Sequence, residues 1–182
     1  MIDYSSVNYD YLSYIGMSAE PKQLRVLKKL TAHLELTPGY APLRVFRGRG
    51  VVTANEAEDC LSILEAPQAE FGAPVGSTRR RKEQWPLLLQ GWPKDDPVNP
   101  SDPAYLLKAA VEKQLSGIVD LEDPSGAQRT DPLYMLGGDV VSFSIGTGIV
   151  RPANDETGKS RLAYFFIPLL LEIATDKAQP QL

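Results

Sequence analysis

The residues that most often carry catalysis are few and separate in this chain of 182 residues, which has one histidine, His33, and one cysteine, Cys60. Nucleophilic catalysis needs a nucleophile beside a base, with a third group that orients the base. His33 lies beside the apolar stripe of a predicted helix, and Cys60 lies in the apolar segment CLSILE. We therefore interpret His33 as a helix-flank residue and Cys60 as a small buried hydrophobe, and we predict no catalytic residue and no enzymatic activity.

Three glycine-containing segments resemble parts of phosphate-binding loops. FRGRG lacks the Lys-Ser/Thr pair of a P-loop, IGTG lacks the third glycine of a dinucleotide site, and NDETGKS lies between two predicted strands rather than before a helix. The carboxylates of EDPSGAQRTD and NDETG do not have calcium-loop spacing, and one cysteine forms neither an intramolecular disulfide nor a cysteine-based zinc site. The sequence therefore predicts no cofactor-binding residue and no metal ligand.

A run of four cations precedes the apolar segment EQWPLLLQGW: Arg79, Arg80, Arg81 and Lys82. Such a run is typical of an exposed loop, of a subunit contact in which arginine pairs with carboxylates, or of a nucleic-acid-binding module. The net charge of −4 and the lack of interleaved stacking residues argue against a protein that mainly neutralises phosphates. For a subunit contact, the acidic stretches 95–96 and 120–123 offer the opposite charge.

The first 18 residues contain four of the eight tyrosines and no sustained helical or strand period: Tyr4, Tyr9, Tyr11 and Tyr14. A tyrosine ring has a large apolar face and one polar tip. We therefore expect this N-terminal arm, residues 1–18, to pack on protein. It either folds back on its own domain or packs on a neighbouring subunit.

The ends and the apolar runs of the chain bear on its location. The start has no basic segment followed by an apolar stretch, so we expect no secretory signal. The longest apolar run, YFFIPLLLEI, is shorter than a membrane span and contains Pro168. We therefore expect a soluble protein, without membrane contact, in a reducing compartment.

Composition and periodicity predict one α+β domain, residues 19–176, followed by a short tail, residues 177–182. Apolar residues make up 43% and charged residues 23%, which permits a sizeable core. Two segments have helical spacing, PKQLRVLKKLTAHLEL and PAYLLKAAVEKQLSG. Their predicted buried positions are Leu24, Leu27, Leu30 and Leu34 in the first, and Leu107, Ala110, Val111, Leu115 and Ile118 in the second.

The remaining apolar segments predict strands. PLRVFRGRG, CLSILEA and EQWPLLLQGW come first, and Pro86 in the third favours an edge strand or a bulge. DVVSFSIGTGIV and RLAYFFIPLLLEIA then form a hairpin around RPANDETGKS. The last strand is apolar on both faces in its middle, so we expect it to be central or covered on each side. These segments give a mixed, mainly antiparallel sheet of four to five strands, packed by two helices and joined by extended loops.

This order of elements resembles the tail terminator proteins of long-tailed bacteriophages, a tail-completion and head–tail joining family. The resemblance runs from about residue 20 to 175. Its segments are LRVLKKLTAHLEL, TPGYAPLRVFRGRG, QWPLLLQGW, PAYLLKAAVEKQLSGI, and the paired DVVSFSIGTGIV and RLAYFFIPLLLEIA.

The resemblance implies a structural virion protein without catalytic residues. Members form a homo-oligomeric ring, usually of six subunits, that caps the tail tube and joins it to the neck or head-completion proteins. The ring is assembled in the host cytoplasm, and genomic DNA passes through its lumen without specific binding. The N-terminal arm and the proline-rich loops are larger than such a protein needs, which leaves a head–tail neck or adaptor protein as an alternative. A nucleic-acid-binding module that uses residues 79–82 is the alternative from another class.

The predicted interaction residues combine three regions. The first is the basic run 79–82 and the second is the N-terminal arm. The third is the tip of the predicted hairpin, residues 151–160, which we expect to face axial partners or the lumen. Its polar and charged residues are Arg151, Asn154, Asp155 and Lys159.

Overall fold

The computed structural model describes residues 20–49, 59–65, 80–119, 134–153 and 162–176. Its helices are α1, Lys22–Glu35, α2, Asp102–Val119, and a single helical turn, α3, Met135–Gly138. Its strands are β1, Arg44–Arg47, β2, Cys60–Glu65, β3, Arg80–Trp92, β4, Ser142–Ile145, β5, Ile149–Arg151, and β6, Tyr164–Asp176.

All six strands belong to one open sheet with the order β1-β2-β3-β6-β4, and β5 pairs with β6 beside β4. The pairing of β1 with β2 is parallel, and the other pairings are antiparallel. The 13-residue strands β3 and β6 form the centre. The α+β class and the mixed, mainly antiparallel sheet are therefore confirmed, and β6 is central as its apolar sequence indicates.

The sheet has one strand more than the upper expectation because DVVSFSIGTGIV divides into β4 and β5. β4 ends where Ile145 pairs with Leu169 of β6, and β5 begins where Ile149 pairs with Phe166. Between these points the Gly146 amide donates to the Pro168 carbonyl at 2.8 Å. A strand residue directs its N–H and C=O to the same neighbour, and proline has no N–H. The ladder is therefore interrupted at Pro168.

The prediction that Pro86 lies in an edge strand or a bulge is wrong, because β3 has β2 on one side and β6 on the other. β2 reaches only as far as the pair Glu65–Leu87, one residue short of Pro86. On the other side Pro86 is opposite Leu170, whose strand neighbour Pro168 bonds toward β4. The missing N–H of Pro86 therefore removes no bond between the described strands, and the proline fits an interior strand.

One face of the sheet carries both long helices. The buried side of α1 consists of Val26, Leu27, Leu30 and Leu34, and that of α2 of Ala104, Leu107, Val111, Leu115 and Ile118. These side chains pack in one cluster with alternate residues of the two central strands: Trp85, Leu87, Leu89, Phe165, Ile167, Leu169, Leu171 and Ile173. Two predicted positions differ, since Leu24 is exposed and Ala110 is only half-buried.

His33 joins the two helices through Gln114 of α2. The Nε2 atom of His33 lies 2.6 Å from the backbone carbonyl oxygen of Gln114. In return, the side-chain amide of Gln114 donates to the backbone carbonyl of His33 at 2.8 Å. The same amide lies 3.3 Å from His33 Nδ1, so the neutral ring with its proton on Nε2 satisfies both partners. The sequence interpretation of His33 as a helix-flank residue agrees with this position.

The turn α3 is left-handed. The φ angles are 48° at Met135, 53° at Leu136, 72° at Gly137 and 77° at Gly138. Each non-glycine residue in this conformation costs roughly 1–2 kcal/mol, whereas glycine adopts it freely. Leu136 is buried in the core, and burying a leucine side chain stabilises by about 1.5–3 kcal/mol, which offsets its strained backbone.

An ion-pair cluster fastens this turn to α1. Asp139 lies 3.0 Å from the Arg25 guanidinium and 2.6 Å from the Lys29 ammonium, and Lys29 also donates to the Leu136 carbonyl at 2.9 Å. Burial raises the pKa of Asp139, but the hydrogen bonds from Arg25 and Lys29 lower it by more. The pKa of Asp139 is therefore below its ordinary value. The carboxylate therefore stays charged and holds the helical layer to the sheet edge.

Candidate interaction surface

The second face of the central sheet lacks a covering helix among the described residues. In β6 the odd-numbered residues enter the core, so Phe166, Pro168 and Leu170 project to the opposite side. In β3 the same alternation places Pro86 and Leu88 on this side. A strand with apolar residues on both faces is typical of a sheet that is covered twice, yet here the second cover is not part of the described chain.

The strand register joins these residues into one surface. Leu88 is opposite Pro168, Pro86 is opposite Leu170, and Ile149 of β5 is opposite Phe166. Directly opposed side chains on one face lie about 4.5–5.5 Å apart at Cβ, so the surface is continuous across three strands. We call it the open-face patch, and its members are Pro86, Leu88, Ile149, Phe166, Pro168 and Leu170.

The patch is accessible to a partner. Leu170 is 40% exposed and Ile149 is 43% exposed. Both prolines are exposed as well, and Leu88 and Phe166 are half-buried. Contiguous apolar surface of this kind on a folded chain marks an interaction site more often than scattered exposed leucines do.

Polar and charged residues surround the patch. At one end the Lys82 ammonium lies 3.0 Å from the Glu172 carboxylate across β3 and β6. At the other end the Arg151 guanidinium lies 6.0 Å from the centre of the Phe166 ring. Ser142 and Ser144 line the β4 edge, opposite Glu172 and Leu170. An apolar centre with a polar rim is the usual composition of a protein–protein interface.

Toward β1 and β2 the same face is closed. Cys60, Ser62 and Trp92 are buried there, which confirms the prediction that Cys60 is a small buried hydrophobe. The Ser62 hydroxyl accepts the Arg49 amide at 3.2 Å, and the Arg49 guanidinium lies 4.6 Å from the centre of the Phe46 ring. The open-face patch therefore lies mainly on β3, β6 and β5, and it borders Leu64 of β2, which is opposite Leu88 and half-buried.

A second apolar surface lies on the helical side of the molecule. Tyr105 and Leu106 project outward from the first turns of α2 and are 61% and 66% exposed. They lie on the side of α2 opposite its buried stripe. Because α2 covers the core face of the sheet, this pair and the open-face patch point in different directions.

The sequence-predicted interaction residues are only partly within the described chain. Lys82 and Arg151 belong to the rim of the open-face patch. The strand β3 begins at Arg80 rather than after the basic run, and the backbone of Arg80 pairs with that of Asp176. The remaining predicted residues lie outside the described ranges: Tyr4, Tyr9, Tyr11, Tyr14, Arg79, Asn154, Asp155 and Lys159.

The acidic stretch 95–96 has a local structural role. The Asp96 carboxylate accepts the amides of Asn99 at 3.1 Å and Val98 at 2.8 Å. These two bonds hold the pKa of Asp96 below its ordinary value. Asp96 therefore shapes the turn that leads into α2, and the stretch 120–123 lies outside the described ranges.

Sequence reasoning did not single out the central members of the patch, Phe166, Pro168 and Leu170. The signal was present, since the segment FFIPLLL is apolar at both odd and even positions. Its second apolar face was interpreted as a sign of burial within the domain. Only the strand order and the helix positions show that the described residues leave one of the two faces without a covering helix.

Within the described ranges, no group of three or more histidine, cysteine or acidic side chains has metal-binding geometry. No helix of those ranges has the length and apolar character that crossing a membrane requires. Comparison with known proteins gives no matching family model and no matching curated relative. The geometry of the surfaces is therefore the basis for a functional proposal.

Proposed function

We propose that this chain is a structural assembly protein, a tail terminator that forms a homo-oligomeric ring, hexameric by analogy with the family it resembles. The ring caps the tail tube and joins it to the neck. The observation that carries the proposal is the open-face patch, where Leu170 on the central strand β6 and Ile149 on the neighbouring strand β5 are exposed. Burying such a surface against another subunit removes apolar area from water, which is the main driving force for association.

A ring requires two different surfaces on each subunit, because head-to-tail contacts join one patch to another and close by rotation. The open-face patch and the outward pair Tyr105 and Leu106 supply two apolar surfaces on opposite layers of the fold. Tyrosine is enriched at interface centres. Two unlike surfaces that face different directions favour head-to-tail contacts over a two-fold dimer, and such contacts form a ring where the rotation between subunits closes.

The fold also supports the proposal. Two helices on one face of a mixed, mainly antiparallel sheet is the architecture that the resemblance implies. The tail tube protein and the neck or head-completion protein are the proposed axial partners, and the virion tail is the proposed location. Work at shape-matched surfaces requires no catalytic constellation.

Imaging of the purified protein by negative stain tests the ring directly. The proposal predicts annuli of uniform diameter, with light scattering that gives an integral multiple of the 20.0 kDa chain mass. A chain that stays monomeric at concentrations up to the millimolar range contradicts the homo-oligomer. A dimer with two-fold symmetry contradicts the ring.

Charge reversal tests the contribution of the basic run. Replacing Arg79, Arg80 and Arg81 with glutamate is expected to weaken assembly and to leave the monomer folded, since surface ion pairs contribute little to folding. Circular dichroism checks the fold and light scattering checks the assembly. Unchanged ring formation removes the basic run from the interface.

The two alternatives give different outcomes. A neck or adaptor protein would bind the head side of a preformed connector and not the tail tube, which pull-down with each purified component distinguishes. A nucleic-acid-binding module would bind duplex DNA with an affinity that falls steeply with salt. The ion pair of Lys82 with Glu172 reduces the positive charge that residues 79–82 offer to phosphates, which favours the assembly role.

A further inference from the structure

We infer that the open-face patch binds the N-terminal arm, residues 1–18, of a second copy of this chain. This inference rests on the proposed homo-oligomer and makes the arm, rather than the pair Tyr105 and Leu106, the segment of the neighbour that covers the patch. The arm of each subunit then reaches over the sheet of its neighbour and links the subunits head to tail.

The first argument is the place from which the arm extends. α1 begins at Lys22, whose ammonium donates to the Ala174 carbonyl of β6 at 3.0 Å. The arm therefore starts at the end of the sheet where the Lys82–Glu172 pair borders the patch. It starts, however, from the helical layer, on the opposite side of the sheet from the patch.

The second argument is that the part of the chain that the structure describes leaves the patch exposed. Leu170 and Ile149 keep 40% and 43% of their surface in contact with solvent when only one copy is present. The described residues of the same chain do not cover these side chains, which leaves them accessible to a segment of a second copy. The described chain begins on the helical layer, so an arm that covered the patch of its own subunit would first have to pass around the sheet.

The third argument is the chemistry of the arm. Its four tyrosines offer large flat apolar faces, and tyrosine loses little conformational freedom on binding. The patch presents complementary apolar groups, among them Pro86, Pro168 and the Phe166 ring. The tyrosine hydroxyls can reach the polar rim, where Ser142 and Ser144 are exposed. The match is that of an amphipathic segment to an apolar centre with a polar border.

Charge and length are also compatible. The arm contains Asp3 and Asp10 and no lysine or arginine, whereas the rim of the patch carries Arg151 beside Phe166 and Lys82 paired with Glu172. An extended segment of this length spans about 60 Å, and the part of β6 that carries the patch, from Phe166 to Leu170, spans roughly 14 Å. The arm is therefore long enough to leave its own subunit and still cover the neighbour's patch.

Disulfide cross-linking between two singly substituted full-length chains tests the inference. One chain carries Ser13→Cys in the arm and is isotopically labelled, and the other carries Ser144→Cys, which lies opposite Leu170 at the edge of the patch. Oxidation of the mixture is expected to give a covalent heterodimer with a bond between positions 13 and 144. Peptide mass spectrometry identifies that bond.

Matched controls define the background. Cys60 is buried, so the wild-type chain is expected to stay uncross-linked. Lys113→Cys places an exposed thiol on α2, on the helical side, and is expected to react with Ser13→Cys at least about tenfold more slowly, as effective concentration falls with distance.

The outcomes separate this inference from the proposed function. Rings without the 13–144 bond, or with equal reaction at position 113, overturn the inference and leave the homo-oligomer intact. The Ser13→Cys/Ser144→Cys double variant gives the intramolecular control. If its disulfide forms within one chain and the mixture of single variants forms none, the arm covers the patch of its own subunit, and the inference is overturned as well. Monomers without cross-links overturn both.

Removal of the tyrosine rings gives a quantitative readout. Replacing Tyr4, Tyr9, Tyr11 and Tyr14 with serine is expected to weaken self-association by at least about 30-fold, since aromatic anchors dominate interface energies. A chain with Ser5→Ala and Ser6→Ala is the control in the same arm and is expected to associate like the wild type. Unchanged association of the serine variant overturns the inference.

Discussion

The two faces of β6 are both apolar but differ in what covers them. Phe165, Ile167 and Leu169 pack under the helices and have almost no solvent exposure. Phe166, Pro168 and Leu170 alternate with them along the same strand and face away from the core. The first set holds the subunit together, and the second set is available to hold subunits to one another.

If the chain assembles as we propose, this difference separates folding from assembly within one strand. Apolar residues that serve the fold should change the free energy of unfolding when they are altered. Those that serve assembly should change the association constant and leave the isolated subunit stable. Neighbouring positions with similar side chains make the comparison direct.

The largest expected effect comes from the two adjacent phenylalanines. Phe165→Ala should lower the free energy of unfolding by about 3–5 kcal/mol, because it opens a cavity in a close-packed core. Phe166→Ala should cost less than about 1.5 kcal/mol, since its ring is half-buried beside Arg151. Urea unfolding of the monomer measures both, and equal losses would erase the distinction between the faces.

The next effect concerns the ion pairs on the helix-covered side. Asp139→Asn should cost about 2–3 kcal/mol, because it leaves Arg25 and Lys29 without their carboxylate. The pKa of Asp139 is lowered in the folded chain, so its contribution is complete above the ordinary carboxylate pKa of about 4 and is lost as the pH falls below that value.

Unfolding measured between pH 7 and pH 3 tests this assignment. The wild type should lose stability over the acidic part of the range, and Asp139→Asn should lack that part of the decrease. Lys28→Ala is the control on α1, because Lys28 pairs with Glu20 at the surface. A variant with the wild-type pH dependence would contradict the role of Asp139.

Glycine-to-alanine substitutions at one position on each face of the sheet compare how tightly the two faces are packed. A methyl group at Gly91 would collide with the Phe165 ring and approach Leu61, so Gly91→Ala should cost about 2 kcal/mol through overpacking. A methyl group at Gly146 would lie 3.2 Å from Pro168, at the open side, and should cost less. Thermal unfolding ranks the two, and the opposite order would contradict the assigned faces.

The smallest effect on the subunit is expected at the rim. Lys82 is largely exposed in its pair with the half-buried Glu172, so Lys82→Ala should change the free energy of unfolding by less than about 1 kcal/mol. A cost above about 2 kcal/mol, measured by urea unfolding, would assign this pair to the fold instead of the interface border.

Much of the fold could be predicted because its signals are local. Helical spacing placed α1 and α2, and alternating or continuous apolar segments placed the strands. Two details depended on neighbours in space. Pro86 alone indicates an edge strand, and only the end of β2 at Glu65 shows that no strand residue there needs its missing N–H. The break between β4 and β5 arises from Pro168 on the opposing strand β6.

The surface was predicted less well, for a physical reason. Charge runs and tyrosines are visible in the sequence, and they led to the rim residues Lys82 and Arg151. The apolar centre was not identified, because a leucine in a strand has the same sequence signal whether its side is buried or open. Leu170 and Leu169 differ only in which layer of the fold they face.

The most direct test of the open-face interface compares two exposed leucines. Leu170 on β6 and Leu24 on α1 are 40% and 38% exposed, so glutamate at either position should disturb the monomer to a similar, small extent. Sedimentation equilibrium should show self-association weakened at least about 30-fold by Leu170→Glu and unchanged by Leu24→Glu. Equal association of the two variants, with both monomers folded, would contradict the assignment of the open sheet face as the subunit interface.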